Sequence, residues 1–138
     1  MDNMRQLTQV MKALSDPNRV RFLKALEQGE WCVCHFQEAS GLAQPTVSRH
    51  MQVLEAAGLA VSEKHGQWVH YRLASEGLSP YAAALLRDLP GWLNADPDTA
   101  TFLERMHGSC RKKSCAAGRP PAKPSPAKKQ NARTRRTP

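Results

Sequence analysis

The spacing of apolar residues at the start of the chain predicts two helices. The first carries an apolar stripe at three- and four-residue steps and is expected to end near Ser15; the stripe comprises Met4, Leu7, Val10, Met11 and Leu14. Asp16 and Pro17 mark the start of the second helix, because Asp is a favourable N-cap and Pro fits the first turn. The buried positions of this second helix are predicted at Val20, Leu23 and Leu26, and Gly29 ends it.

The following segment has the pattern of two short helices joined by a turn. The first runs from about Cys32 to Ser40, and after Gly41 a second is predicted from Gln44 and Pro45 to about Ala57. The inward positions of this second helix are Val47, Met51 and Leu54, and its outward polar face comprises Thr46, Ser48, Arg49, His50 and Gln52. A bracing helix followed by a helix with a polar, arginine-bearing face is typical of a helix-turn-helix, whose second helix enters the DNA major groove.

After Gly58 the apolar residues no longer repeat at helical spacing but at every second position, which predicts a β-hairpin. Val69, Tyr71 and Leu73 alternate with the more polar face formed by Trp68, His70 and Arg72. This strand pairs with residues 59–64 through a turn at His65 and Gly66. A hairpin in this position, directly after a recognition helix, is the wing of a winged helix.

The remaining apolar positions predict two C-terminal helices. The first has a stripe at Tyr81, Leu85 and Leu89, extendable to Leu93, and the second is capped by Asp96 and Pro97 and runs through Met106. Apolar helices at both ends of so small a domain need a partner surface, so we expect a homodimer formed by the terminal helices. The predicted fold class is α+β and mostly α, a winged helix-turn-helix with a two-stranded wing and C-terminal dimerisation helices.

Charge divides the chain into two parts. Residues 1–107 contain ten Lys or Arg and twelve Asp or Glu, whereas residues 108–138 contain ten Lys or Arg, five Pro and no acid. We therefore predict a folded DNA-binding and dimerisation domain over 1–107 and a disordered basic tail over 108–138, which cannot bury enough apolar surface to fold. Such a tail either lies on phosphate backbones or serves solubility.

The composition also limits the cellular setting. No segment approaches the ~18 to 20 consecutive apolar residues that a membrane span needs, and the N-terminus has no apolar block typical of a signal peptide. We expect a cytoplasmic protein with reduced cysteines and no membrane partner.

Four segments, in the same order, resemble the ArsR/SmtB family of metal-responsive repressors. They are LSDPNRVRFLKAL at 14–26, EWCVCHF at 30–36, QPTVSRHMQVLEAAGL at 44–59 and GQWVHYRL at 66–73, and the resemblance covers about residues 1–93. It implies a dimer whose recognition helices read double-stranded operator DNA. The candidate DNA-binding residues are then Gln44, Thr46, Ser48, Arg49 and His50, with His65 and Gln67 on the wing. Among these, Arg49 is the residue chosen to contact a guanine or a phosphate.

The arsenic-responsive branch of that family is the most similar, because its sensing motif is a Cys-Val-Cys that Cys32 and Cys34 match. The resemblance implies a repressor that leaves its operator when As(III) or Sb(III) binds these cysteines, with no organic cofactor. That branch often has a third cysteine where this chain has Gln37, so the third ligand is open between Cys110, Cys115, glutathione and a water-derived oxygen.

The chemistry of the two cysteines supports a soft-metal site independently. Thiolates select soft or borderline ions such as arsenite, antimonite, cadmium or zinc, and a helix start lowers the pKa of a cysteine. Residues two apart on a regular helix point to opposite sides, so we expect that this turn of the bracing helix must unwind or distort for Cys32 and Cys34 to hold one ion. His35 is interpreted as a solvated helix residue.

Other functions remain open at this stage. Two nearby cysteines also suit a thiol-redox sensor or a Cd/Zn sensor on the same fold, and the basic tail suits an architectural DNA-binding protein. An enzyme is not expected, because no Cys-x-x-Cys pair lies on a βαβ pattern and no catalytic base is evident. A further sensing site of the family uses His and carboxylates on the last dimerisation helix, but residues 78–93 offer Asp88 and no histidine.

Overall fold

A computed structural model describes residues 3–76 and 78–109. The first half contains helices α1 (Asn3–Ala13) and α2 (Pro17–Leu26), strand β1 (Trp31–Cys32), and helices α3 (Val33–Ser40) and α4 (Gln44–Ala56). The second half contains strands β2 (Ala60–His65) and β3 (Trp68–Leu73), helix α5 (Pro80–Asp88), a 3-10 turn (Leu89–Gly91) and helix α6 (Pro97–His107). This order is the predicted winged helix-turn-helix, with α3 and α4 as its two helices. None of the helices in the described part of the chain is long and apolar enough to span a bilayer.

Side-chain caps fix where the helices begin. The Asp16 carboxylate accepts hydrogen bonds from the backbone N–H groups of Asn18 and Arg19, at 2.9 and 3.2 Å, which confirms the predicted start of α2. Asp96 accepts from the backbone N–H of Thr99 at 2.9 Å, and this confirms the start of α6. Between α3 and α4, Gly41 adopts a φ of 77°, a left-handed conformation that glycine tolerates and that ends α3.

The wing belongs to a three-stranded antiparallel sheet with the order β1-β3-β2. β2 and β3 form the predicted hairpin, in register from Ala60 opposite Leu73 to His65 opposite Trp68. The third strand, β1, was not predicted, because two residues are too few to show an alternating pattern. β1 places Cys32 opposite His70 and so ties the start of α3 to the root of the wing.

The core lies where α2, α3, α4 and α6 meet. The Phe22 and Phe36 rings are 4.8 Å apart between centroids, and Phe22 also stacks on Phe102 at 5.9 Å. The predicted inward face of α4 is confirmed: Val47, Met51 and Leu54 are all 0% exposed. Burial of these side chains is what positions the recognition helix, since each contributes roughly 1.5–3 kcal/mol.

Part of the predicted apolar surface stays exposed in the single chain. Met4 and Met11 of α1 are 67% and 53% exposed, and Trp92 and Leu93 are 46% and 42% exposed. Extending the α5 stripe to Leu93 was wrong, because α5 ends at Asp88 and Leu93 has a φ of 59° beyond the 3-10 turn. Pro90 within that turn prevents the helix from continuing.

A buried lysine joins α2 to the segment after α5, and the apolar pattern did not predict it. Lys24 is 2% exposed, and its Nζ donates to Glu27 Oε2 at 2.8 Å, to the carbonyl of Leu89 at 3.1 Å and to Asn94 Oδ1 at 3.3 Å. Burial raises the pKa of Glu27, while the Lys24 ammonium acts to lower it. The Lys24 ammonium therefore favours the ionised form of the partly buried Glu27 carboxylate.

We predict that Lys24→Met lowers the free energy of unfolding by about 2–3 kcal/mol, because it leaves the Glu27 carboxylate without its counter-ion. The matched control is Arg21→Ala, which removes a 2.7 Å salt bridge to Asp98 whose side chains are 28% and 68% exposed. That control should cost less than about 1 kcal/mol. Urea unfolding at one fixed protein concentration measures both, and equal midpoints for the two variants would contradict the structural role of Lys24.

Candidate functional site

Cys32 and Cys34 lie at the junction between β1 and α3. Cys32 is the last residue of β1 and the N-cap of α3, with extended backbone angles, and Cys34 is the second residue of the helix. Their Sγ atoms are 3.2 Å apart, and Cys32 is 1% exposed. The structure thus brings the two predicted ligands together at one point.

The premise of the expected unwinding or distortion of the bracing helix does not hold. That prediction placed both cysteines on regular helix, where residues two apart diverge, but Cys32 has φ −80° and ψ 153° and belongs to a strand. The change from extended to helical backbone between Cys32 and Cys34 turns both sulfurs to the same side. With both thiols reduced, one ion can contact the two sulfurs without unwinding of α3, since 3.2 Å is shorter than two metal–thiolate bonds of ~2.3 Å.

His35 is a buried part of this site, which corrects its interpretation as a solvated residue. It is 4% exposed, and its Nδ1 accepts a 3.2 Å hydrogen bond from the backbone N–H of Cys32. Its ring packs edge-on against Trp31, with 5.0 Å between ring centroids. Burial lowers the pKa of His35 and favours the neutral imidazole that this hydrogen bond requires. The N-cap to N3 spacing of Cys32 and His35 was the sequence signal for it.

The burial of Cys32 has a second consequence. Desolvation raises the pKa of the Cys32 thiol, and the backbone N–H groups of Cys34 and Val33 offset this only in part. The expectation that a helix start lowers the pKa was therefore wrong for Cys32, because its sulfur is out of contact with water.

Three ligand-type side chains converge at the junction. One ligand atom from each of Cys32, Cys34 and His35 lies within 4.8 Å of the other two. Two sulfurs and an imidazole form a donor set that suits soft and borderline ions rather than hard cations. Cys110 and Cys115, the predicted sources of a third ligand, lie outside the described residues.

A cleft of about 480 Å³ opens beside the cysteines, between α3, α4 and the wing. Cys32 and Cys34 line it on one side, Gln44 and Ser48 of the recognition helix on a second, and Gln67 and Trp68 of the wing on a third. A group that binds at the cysteine pair therefore faces a cleft bounded by both elements predicted to touch DNA.

The predicted DNA-binding residues of α4 fall into two groups. Gln44 and Arg49 are exposed, and Thr46 and Ser48 are half-buried on the same helix. His50 departs from the expected solvent-facing position: its side chain is 15% exposed, and its Nδ1 lies 3.1 Å from Arg19 Nη1. Its ring meets the edge of Phe22 at 5.9 Å, so His50 packs α4 onto α2. The spacing of apolar residues does not reveal the burial of His50, because a polar residue beside the inward stripe is assigned to the solvent-facing side.

On the wing, His65 and Gln67 are exposed on either side of Gly66. Gly66 has a φ of 67°, so the tight turn depends on glycine at this position. His65 also contacts the segment before β1, with its Nε2 3.0 Å from Glu30 Oε2.

The fold and the arrangement of α3, α4 and wing define a winged helix-turn-helix DNA-binding protein. Residues 16–62 match the family model described as the ArsR family of bacterial regulatory proteins. An arsenic resistance transcriptional regulator of Pseudomonas putida is 38% identical over 92 residues, covering 63% of this chain and 71% of that protein. An arsenical resistance operon repressor of Escherichia coli is 40% identical over 79 residues, covering 56% of this chain and 67% of the relative.

Solved structures agree with these relatives. A homodimeric winged helix-turn-helix DNA-binding domain from Mycobacterium bovis, described as a possible ArsR-family transcriptional regulator, superposes with a TM-score of 0.53 at 31% identity. The match covers 64% of this chain and 81% of that domain. The chain belongs to the ArsR family, and it is a transcriptional repressor of the ArsR/SmtB type. Its relatives are regulators rather than enzymes.

We predict that His35→Ala lowers the free energy of unfolding by about 2 kcal/mol, because the buried N–H of Cys32 loses its acceptor. His107→Ala is the matched control: the His107 ring also packs edge-on against Trp31, at 5.2 Å, but His107 is exposed. Urea unfolding of both variants decides the point. If His35→Ala lowers the free energy of unfolding no more than His107→Ala does, the hydrogen bond to Cys32 does not stabilise the junction.

Proposed function

We propose that this repressor binds operator DNA as a homodimer and releases it when As(III) or Sb(III) is bound by Cys32 and Cys34. The observation that carries the proposal is the 3.2 Å separation of the two Sγ atoms beside the recognition helix and the wing. The names of the Pseudomonas putida and Escherichia coli relatives support arsenic over other soft ions. Similarity to the homodimeric domain from Mycobacterium bovis supports the dimer.

The residues of the junction have distinct roles in this proposal. Cys32 and Cys34 supply two thiolates, the ligand type that a thiophilic ion takes in preference to oxygen or nitrogen. His35 Nδ1 is already engaged by the Cys32 N–H, so His35 holds Cys32 in place rather than acting as a ligand through that atom. The third ligand is then a thiol from Cys110 or Cys115, on the same or the partner protomer, or else glutathione or a water-derived oxygen.

The position of the site provides the link to DNA. A ligand held at Cys32 and Cys34 faces the cleft bounded by Gln44 and Ser48 of α4 and by Trp68 of β3. Recruiting a third ligand into this space changes the position of α4 relative to the wing, and the DNA-binding conformation loses population in proportion to the differential affinity of the ion for the two states. A coupling of about 3 kcal/mol corresponds to roughly 150-fold weaker DNA binding.

Operator recognition is assigned to α4 and the wing. We assign contacts with base edges or phosphates to Gln44, Thr46, Ser48 and Arg49, and contacts with the flanking backbone to His65 and Gln67, all of which are exposed or half-buried. His50 contributes indirectly, because its contact with Arg19 fixes α4 against α2. The tail over 108–138 adds sequence-independent affinity for phosphates.

We predict that arsenite weakens binding of the reduced full-length protein to its own upstream DNA by about 100-fold or more. Cys32→Ser and Cys34→Ser should each abolish this response while leaving DNA affinity without arsenite within about threefold of wild type. Serine is close to cysteine in size and is a good N-cap at position 32, but it is not a soft ligand. Fluorescence anisotropy with labelled duplex measures both properties.

Parallel titrations and variants make the outcome specific. Cys110→Ser and Cys115→Ser test the third ligand: loss of the arsenite response in one of these variants identifies the substituted cysteine as that ligand. If cadmium or zinc releases the DNA and arsenite does not, the inducer is one of those ions instead. If only peroxide or polysulfide releases the DNA, the protein is a thiol-redox sensor. DNA binding without sequence preference would favour the architectural function.

For the DNA interface we predict that Arg49→Ala weakens operator binding by at least ~10-fold, because an exposed arginine on the recognition helix loses its partner on DNA. Arg87→Ala is the matched control, since Arg87 is also exposed but lies on α5. Repeating the titration with mutated operators and at several salt concentrations separates a guanine contact, which relaxes specificity, from a phosphate contact, which lowers the salt slope. If the two variants bind the operator with equal affinity, Arg49 does not contact DNA.

A further inference from the structure

A second group of ligand-type side chains lies along the wing, where the segment that enters β1 contacts it. Glu30 immediately precedes β1, His65 is the last residue of β2, and His70 lies within β3. In the ladder, His70 is opposite Cys32 on one side and Glu63 on the other. Because side chains alternate along a strand, Glu30, two residues before Cys32, and His65, two residues after Glu63, share a face with His70.

The three side chains are already in contact. The Glu30 carboxylate oxygen Oε2 lies 3.0 Å from His65 Nε2 and 3.4 Å from His70 Nδ1. The two imidazole rings meet edge-on, with 4.5 Å between their centroids. One ligand atom from each residue lies within 4.8 Å of the other two. Two strands of the wing and the segment before β1 therefore supply one compact donor set.

The chemistry of this set differs from that of the cysteine pair. Two imidazoles and a carboxylate suit borderline divalent ions, of which Zn²⁺ takes His nitrogen and Glu oxygen at ~2.0–2.2 Å. They are poor ligands for a thiophilic ion. His70 is 4% exposed and held rigidly in the sheet, whereas the side chains of His65 and Glu30 are 43% and 33% exposed, so solvent can reach the cluster and supply a fourth ligand.

We propose that Glu30, His65 and His70 form a binding site for a divalent transition metal ion of the Zn²⁺ type, separate from the cysteine site. Such a site joins the segment that enters β1 to the tip of the wing, because Glu30 precedes β1 and His65 ends β2. It also shares β1 with the cysteine junction, through the pairing of Cys32 with His70. Occupancy fixes the wing hairpin to β1 and engages His65, a residue that the DNA interface would otherwise use.

The alternative is that the cluster is a hydrogen-bonded His–Glu–His group that only stabilises the sheet. The two interpretations differ in metal binding, which can be measured without DNA and without cysteines. A full-length variant carrying Cys32→Ser, Cys34→Ser, Cys110→Ser and Cys115→Ser removes all four thiols. Serine is a good N-cap, so the start of α3 is retained. This choice also separates the metal site from the proposed arsenic response, which needs the thiols.

We expect this cysteine-free protein to bind one Zn²⁺ per protomer in isothermal titration calorimetry, and Co²⁺ to give d–d absorption without a sulfur charge-transfer band. Glu30→Gln and His65→Ala, introduced separately, should each weaken Zn²⁺ binding by at least the ~10-fold that even an outer-sphere partner of a metal site is worth. Both positions are partly exposed, so these variants keep the fold, which circular dichroism checks. His107→Ala, an exposed histidine bonded to Gln28, is the control and should bind Zn²⁺ like the parent.

Two results would overturn the proposal. One is no Zn²⁺ binding by the folded cysteine-free protein at concentrations that saturate a micromolar site, which would leave the cluster as a hydrogen-bonded group. The other is binding that Glu30→Gln and His65→Ala leave unchanged, which would place the ion elsewhere. If the cysteine-free chain does not fold, the same substitutions in the wild-type chain should lower the Zn²⁺ stoichiometry by one per protomer, and an unchanged stoichiometry would overturn the proposal equally.

Discussion

The change from strand to helix at Cys32 is the constraint on which the site depends. Two residues of β1 pair with β3, and the backbone then turns into α3 with the Cys32 N–H held by His35 Nδ1. This junction brings the two sulfurs to the same side, fixes α3 against the wing, and so determines the geometry of the helix-turn-helix. Without β1, Cys32 and Cys34 would lie on one helix and diverge.

Contacts with the rest of the domain hold that junction in place. Trp31, in β1, donates its Nε1–H to the carbonyl of Ala25 at 2.9 Å and packs against His35, so α2 supports the strand directly. The aromatic core formed by Phe22, Phe36 and Phe102 joins α2, α3 and α6. His50 holds α4 on the same α2 surface through Arg19. The recognition helix and the candidate sensing site are thus both attached to α2. A displacement at one can therefore be transmitted to the other through this helix.

Two donor sets with different preferences meet at β1. The cysteine junction offers sulfur and a buried neutral imidazole, and the cluster of Glu30, His65 and His70 offers two imidazoles and a carboxylate. Because thiolate-rich sites favour soft ions and nitrogen–oxygen sites favour borderline ones, the two sets need not compete for the same ion. Their common strand gives a physical route by which occupancy of one could affect the other.

The sequence by itself determined the order of the helices, their caps at Asp16 and Asp96, the inward face of α4 and the wing hairpin, because these follow from local periodicity and capping. It also located Cys32 and Cys34 from a local motif. Only the tertiary structure decided that β1 exists, that His35 and His50 are buried, that Lys24 is an internal cation, and that Glu30, His65 and His70 meet. Each of these depends on residues far apart in the chain being brought together, and no local pattern of apolar and polar positions records such contacts.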